Sequence, residues 1–286
     1  MKSIAYTGKI IKVVLLLFCI IVTISPLLFL LSGSFMDQLE ISELIAPITK
    51  GEEGMAGWHL IPHYPTLQNI IELLLDSPEF YQMFWNSVKI TVIILAGQLI
   101  FGMPSAWGLA RYEFLGKKQI YFIYIILMML PFQVTMLSEY LVLDKIKLLD
   151  SSGAVILPGI FSTFSVFLMY RFFAGVPEEV LEAARMDGAN EWQIFCHIGI
   201  PLGYAGIVSA MVLQFLECWN QIERPMAFLK TKELWPLALY LPEISMEKAG
   251  FAMCAALMAL LPALFVFLYG QDYLEQGITA TIKEKR

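Results

Sequence analysis

The chain has 286 residues, 58% of them hydrophobic and only 15% charged. Soluble domains carry about 25% charge; here the apolar residues gather in blocks of about 20, enough to cross a hydrocarbon core of ~30 Å, which excludes a soluble enzyme with a greasy core. The net charge is −6, and the basic residues form no stripe or arm, which excludes a nucleic-acid surface.

The first predicted span is Ile11 to Leu31. Lys2, Lys9 and Lys12 lead into it as in a signal peptide. The apolar run is longer than a signal h-region and no small-x-small site follows, so a retained anchor is expected. Pro26 is expected to kink it. Residues 33–81 then carry Asp37, Glu40, Glu43, Glu52, Glu53, Asp76 and Glu79 against a single Lys50, punctuated by glycines and prolines. This reads as an external excursion with short helices such as Leu67 to Leu75.

The second span is Phe84 to Leu109, followed by Arg111, Lys117 and Lys118; the third is Gln119 to Tyr140 and the fourth Val155 to Phe173. A polar island from Pro177 to Leu202 comes next. The fifth span is Tyr204 to Ile222 and the sixth Phe251 to Tyr269, before a tail with Lys283, Lys285 and Arg286. The expected fold is an all-α integral membrane protein with six transmembrane helices. Residues 1–82 form the N-terminal anchor and excursion, and residues 83–286 the transmembrane core. Basic residues cluster at the N-terminal segment, the Arg111–Lys118 loop, the Arg171–Arg185 loop and the tail. By the positive-inside rule both termini and the island 177–202 lie in the cytoplasm.

The island reads as two short helices. Pro177 suits the first helical position, and Glu178 and Glu179 favour the positive end of the helix dipole. Val180, Ala183, Ala184 and Asp187 share roughly one face, and Gly188 stops the helix with a left-handed backbone. Asn190 caps the next helix with Gln193 as its reciprocal partner. Trp192 and Phe195 are expected as outward knobs, and Pro201 as the helix end. Such a projection suits docking of a soluble cytoplasmic protein; lying flat on the bilayer is the alternative.

Cys19, Cys196, Cys218 and Cys254 lie in or beside apolar segments without metal-ligand spacing, and His59, His63 and His197 form no HExxH. No glycine-rich phosphate loop occurs. No catalytic residue, metal site or cofactor site is expected. Polar groups within spans are functional candidates by default, although Gly97, Gly102, Pro104, Gly159 and their like serve helix packing as readily.

Glu182-Ala183-Ala184, Asp187-Gly188 and Ile200-Pro201 together resemble the signature of membrane subunits of binding-protein-dependent ABC importers, of the carbohydrate class and the maltose-permease second-subunit type. Asn86-Ser87, Ala110-Arg111-Tyr112, Leu130-Pro131, Trp219-Asn220, Pro225 and the closing Gly277-Ile278-Thr279-Ala280 extend the resemblance over almost the whole chain. It implies a permease core whose EAA loop, residues 177–202, seats in a cytoplasmic ATPase through Glu182, Ala183, Ala184, Asp187, Gly188 and Trp192. The implied partners are a second six-span permease, two ATPases that carry ATP and Mg, and an extracytoplasmic solute-binding protein, assembled in the cell membrane. The tail Thr281–Arg286 departs from the family's usual ending, which puts any tail contact with the ATPases in doubt. Sugar sites need aromatic platforms and hydrogen-bonding groups. The candidates for a solute path are Gln98, Phe132, Gln133, Tyr140, Phe215, Trp219 and Asn220. The alternative cargo is a non-sugar solute such as an amino acid or polyol.

Overall fold

The computed structural model describes residues 2–50, 60–241, 244 and 248–283. Glu52, Glu53 and His59 of the excursion, and Glu284, Lys285 and Arg286 of the tail, lie outside the described residues, as do the side chains of residues 276–283.

In chain order the helices are α1 (Lys2–Ser34), α2 (Gln38–Lys50), α3 (Gln68–Leu75), α4 (Pro78–Gly97) and α5 (Met103–Arg111). There follow α6 (Lys117–Met129), α7 (Phe132–Lys145), α8 (Ser152–Ile160), α9 (Thr163–Ala174), α10 (Glu178–Met186) and α11 (Glu191–Ile194). The remainder are α12 (Ile200–Trp219), α13 (Glu223–Phe228), α14 (Leu237–Tyr240) and α15 (Ala249–Lys283). Five helical stretches among the described residues are long and apolar enough to cross a membrane: Lys12–Ser34, Pro78–Arg111, Ser152–Ala174, Glu191–Trp219 and Ala249–Glu275. This is an all-α, multi-pass membrane protein.

The third expected span, Gln119 to Tyr140, is not one continuous helix. It is two helices, α6 and α7, bent by 107° at Leu130-Pro131. Both residues are extended, with ψ of 123° and 149°. A proline disfavours helical backbone in the residue before it and removes a donor, so the chain turns sharply inside the expected span. Counting that pair as one span gives the expected six.

Packing divides the chain into two compact units, Met1–Phe80 with Leu241–Leu260, and Tyr81–Tyr240 with Leu261–Arg286. In the first unit Met36, Ile41 and Leu44 form a small core against Phe29 and Ala249. The buried Asn69 donates through Nδ2 to the carbonyls of Ser34 and Met36, at 3.2 and 3.0 Å. Glu40 accepts the backbone N–H groups of His63 and Tyr64 at 2.9 and 3.1 Å. The acidic excursion is therefore tied to its own helices by backbone-directed hydrogen bonds.

In the second unit α9 packs between α5 and α12. The core joins Trp107, Val166, Met169, Phe173, Leu181, Ile194, Phe195 and Ile207. Trp107 meets Phe173 edge-on, with centroids 5.3 Å apart. Gly199, Gly203 and Gly206 form a small-residue stripe that receives these rings: a Cβ at Gly199 would stand 2.7 Å from Trp107, and one at Gly203 2.5 Å from Phe173. Close backbone approach over small residues is how membrane helices gain packing energy when lipid is as apolar as leucine. Gly97 faces Ile160 and Gly159 faces Ile94 in the same way.

At Pro104 and Pro201 a span continues through a proline by way of a wider turn. Gln98–Gly102 and Phe195–Gly199 are π-helical turns, each closed by Gly-x-Pro at Gly102-Met103-Pro104 and Gly199-Ile200-Pro201. Met103 N–H donates to the Gln98 carbonyl and Ile200 N–H to that of Phe195. The wider turn gives the proline ring room that a tight α-turn denies it. Pro201 is thus not a helix end, as its residue type suggested; the fifth span runs unbroken from Glu191 to Trp219.

Between α7 and α8 the chain carries two non-glycine residues at positive φ, Lys147 at 57° and Asp150 at 56°. Asp150 clamps the segment after α13. Its carboxylate accepts from Lys230 N, Thr231 N and Thr231 Oγ1 at 2.8, 2.8 and 2.6 Å. Those bonds, led by the Thr231 hydroxyl, hold the carboxyl below the usual carboxylate range. A depressed carboxylate stabilises the fold above its unfolded value of about 3.9 and loses that contribution as pH falls through its lowered value. Asp150→Asn is expected to speed tryptic cleavage at Lys230 and Lys232. In the unaltered chain, amide exchange over residues 229–231, corrected for intrinsic rate, is expected to rise only under acid conditions below that range. Unchanged protection in Asp150→Asn would assign the hold to the packing of Leu229 and Trp235 instead.

Candidate functional site

The polar island folds as a helix–turn–helix on the end of the α5–α9–α12 bundle. Pro177 is extended and leads into α10, with Glu178 and Glu179 in the first turn. Leu181 is fully buried and Ala184 packs on the same core. The opposite face is solvent-exposed and carries Val180, Glu182, Ala183, Met186 and Asp187. The small-residue face therefore splits: Ala184 turns inward, whereas Glu182, Ala183 and Asp187 turn outward.

Gly188 has φ of +84°. Its N–H donates to Arg185 O and that of Ala189 to Ala184 O, both at 3.0 Å, which closes α10 in the left-handed manner its sequence predicts. A Cβ placed on Gly188 would meet nothing of this chain within 4 Å. Asn190 accepts from Gln193 N and the Gln193 side chain accepts from Asn190 N, each at 2.9 Å, a complete capping box. Trp192 projects outward with 67% exposure. Phe195 does not: it is buried against Trp107 at 5.6 Å. Its ring lies 5.5 Å from that of Trp192, on the inner side, where Trp107 and Phe173 receive it.

Five side chains close a ring beneath this projection. Arg111, at the end of α5, pairs with Glu178 at 3.2 Å. The other carboxylate oxygen of Glu178 meets Arg185 at 2.9 Å, and Arg185 Nε donates to Glu191 at 3.0 Å. The Tyr112 hydroxyl donates to the second oxygen of Glu191 at 3.1 Å. Arg111 also donates to the backbone carbonyls of Phe173 and Val176 and lies over the Trp107 ring at 5.6 Å. The two carboxylates raise the already high Arg185 affinity for its proton. Burial, then the bond to Glu191, pushes the Tyr112 hydroxyl up. In the sequence Arg111 stands out only as a basic residue at a span end and Tyr112 only through the resemblance; the alternating charges at 111, 178, 185 and 191 were the available signal.

The solute-path candidates separate. Gln98 is fully buried and donates to the Gly159 carbonyl at 2.9 Å, locking α8 to the π turn. Trp219 is buried, stacked on Phe215 at 5.5 Å and edge-on to Phe84 at 5.8 Å. Asn220 is exposed and donates to Leu216 O. Phe132, Gln133 and Tyr140 are brought together in a pocket of about 440 Å³ with Met136, Glu223 and Met226. There Gln133 Nε2 donates to Glu223 at 2.6 Å, and Arg224 lies over the Phe132 ring at 5.4 Å while paired with Glu139 at 3.3 Å. Among the described residues no group of His, Cys, Asp or Glu could hold a metal ion.

The sequence matches the family described as "Binding-protein-dependent transport system inner membrane component" over residues 98–280. The chain is 28% identical to the arabinooligosaccharides transport system permease protein AraQ of Halalkalibacterium halodurans, over 92% of this chain and 91% of that protein. It is 30% identical to the AraQ protein of Bacillus subtilis, over 76% and 79%. It is 28% identical to the sn-glycerol-3-phosphate transport system permease protein UgpE of Escherichia coli, over 86% and 91%. In fold it is similar, with a TM-score of 0.80 and 23% identity over 94% of this chain and 96% of the other, to a chain from the crystal structure of a bacterial ABC transporter involved in the import of the acidic polysaccharide alginate.

Proposed function

This chain belongs to the family of binding-protein-dependent transport system inner membrane components, and from that premise we propose that it is the permease subunit of an ATP-driven importer for carbohydrates, oligosaccharides foremost. It is a transport subunit and not a catalyst. Its partners in this reading are a second six-span permease, two cytoplasmic ABC ATPases and an extracytoplasmic solute-binding protein. Both termini lie on the cytoplasmic side of the cell membrane, following the distribution of basic residues.

The observation that carries the coupling reading is the outward face of α10 and its turn. Glu182, Ala183 and Asp187 are exposed on a capped helix, and the space above Gly188 is open. This is a rigid, small-residue surface for a cleft on an ATPase, with Trp192 beside it and Ala184 setting the depth of the helix. ATP and Mg bind the ATPases, and their closure supplies the work; this chain passes the displacement to its spans.

The carbohydrate reading draws on relatives named for arabinooligosaccharides. It also draws on the pocket that gathers Phe132, Tyr140, Gln133 and Glu223, a set that offers rings for stacking and polar groups for hydroxyls. Gln98, Phe215, Trp219 and Asn220 shape the bundle around that path rather than line the pocket. Gln133→Ala and Glu223→Gln are expected to raise KM for uptake roughly tenfold, the loss of about one charge-assisted hydrogen bond, with ATPase recovery unchanged. An unchanged KM in both variants removes the pocket from the solute path.

The test of the function is reconstitution with both permeases, the ATPases and the matching binding protein in liposomes. ATP-dependent accumulation of an arabino-oligosaccharide is the expected result. Accumulation of sn-glycerol 3-phosphate instead assigns the polyol cargo, which the similarity to UgpE favours. Solute accumulation without ATP overturns both.

A further inference from the structure

We infer that the ring Arg111–Glu178–Arg185–Glu191–Tyr112 is a positioning device that makes the docking helix α10 move as one body with the spans; this rests on the coupling reading above. Its members lie on three separate pieces of chain. Arg111 and Tyr112 end the second span, Glu178 and Arg185 lie on opposite ends of α10, and Glu191 opens α11 and the fifth span. Four side-chain bonds of 2.9–3.2 Å join them, and the peptide bond between Arg111 and Tyr112 closes the circuit.

Isolated surface ion pairs hold little, because each pair must fix two long side chains against solvent screening. This set differs in three respects. Each carboxylate is shared by two donors, so ordering one side chain orders its neighbours. The Arg111 side chain is only 8% exposed. Its guanidinium also donates to the carbonyls of Phe173, in the last turn of α9, and of Val176, just beyond it. One cation therefore joins the end of the second span, the end of the fourth and the start of α10. A push on α10 reaches α5 and α9 through Arg111, and α12 through Arg185 and Glu191.

None of the five residues belongs to the outward face formed by Glu182, Ala183, Asp187 and Gly188. Breaking the ring is thus expected to leave ATPase docking and basal ATP hydrolysis in place and to cut the solute imported per ATP hydrolysed. Arg185→Gln and Glu191→Gln should each lower that ratio about tenfold, a change of ~1.4 kcal/mol. The double variant should be no worse than either single, because one circuit is opened once. Arg185→Lys should restore part of the ratio through its single charge.

The experiment uses the whole complex in lipid nanodiscs and liposomes with its binding protein. ATPase co-purification, basal hydrolysis and uptake are measured side by side. Hydrogen exchange of residues 178–194 is followed in the isolated chain in detergent. Non-additive loss of coupling with faster exchange over 178–194 supports the ring. Additive losses, an unchanged ratio, or unchanged exchange overturn it. Loss of ATPase co-purification in Arg185→Gln also overturns it, because the ring would then belong to the docking surface. If the unaltered chain, free of any substitution, binds no ATPase, the coupling reading itself fails, while the exchange measurement still reports on the ring.

Discussion

Gly188→Leu is expected to lower solute uptake by roughly two orders of magnitude while the chain still inserts and folds. The residue has φ of +84°, where a side chain costs about 1–2 kcal/mol. Its Cβ would meet nothing of this chain. The substitution therefore strains one turn without crowding any intramolecular neighbour, and the rest of the loss falls on whatever sits above the turn. Central interface contacts of this kind cost about 2–4 kcal/mol when disrupted, which is the source of the expected magnitude. Gly188→Asn, which tolerates the same backbone with a smaller side chain, should retain much more uptake than Gly188→Leu. Glu182→Lys reverses a charge on the same exposed face and should fail in the same assay. Uptake and ATPase recovery that stay at the unaltered level in both Gly188→Leu and Glu182→Lys would remove the loop from the coupling surface.

Gly206→Val is expected to abolish recovery of the folded chain. A Cβ there would stand 2.1 Å from Cγ of Phe172 and 2.5 Å from its Cβ. The clash falls near the backbone of α9, so no flexible tip can swing aside. Overpacking usually costs about 1–3 kcal/mol; here three added carbons fall on the α9–α12 seam itself, and the total is expected to exceed that range. Gly108→Ala is the control, because its nearest neighbour is Tyr112 at 4.0 Å. Thermal unfolding in detergent should show Gly108→Ala near the unaltered chain and Gly206→Val either unrecoverable or strongly destabilised. A normal transition in Gly206→Val would mean that α9 and α12 do not meet as closely as the structure places them.

Local chemistry explains what was readable in advance. The stop at Gly188, the Asn190–Gln193 capping box and the first turn of α10 each depend on residues within four positions of one another, so spacing alone specifies them. The apolar blocks were equally readable, because crossing a bilayer demands a length of apolar chain irrespective of neighbours. Pro131 marked a break but not its size: 107° is set by two extended residues in succession. Pro201 was read as a helix end, because local rules treat proline as a stop. The π turn before it, shared with the Gly102-Met103-Pro104 segment, carries the helix through. Phe195 lies in the core because Trp107 and Phe173, on other helices, cover it.

The candidate site divides along the same line. Asp187 and Gly188 were legible from their own helix, and Glu182 through the family resemblance. The ring behind them was not, because Arg111 and Glu178 are 67 residues apart. Gln98 reads as a polar group in a span; only the approach of α8 turns it into a donor for the Gly159 carbonyl. Gln133 and Glu223 are 90 residues apart and become one hydrogen-bonded pair only when α7 and α13 pack.

By itself the sequence determined that this protein crosses a membrane as helices and carries a capped helix–turn–helix between spans, since backbone hydrogen bonding in lipid and local capping leave few alternatives. Tertiary structure alone decided which polar groups meet, which aromatic rings turn inward and where a proline is tolerated. Those outcomes depend on side chains tens of residues apart filling one another's space and satisfying one another's charge, and neither is written in any short stretch of the chain.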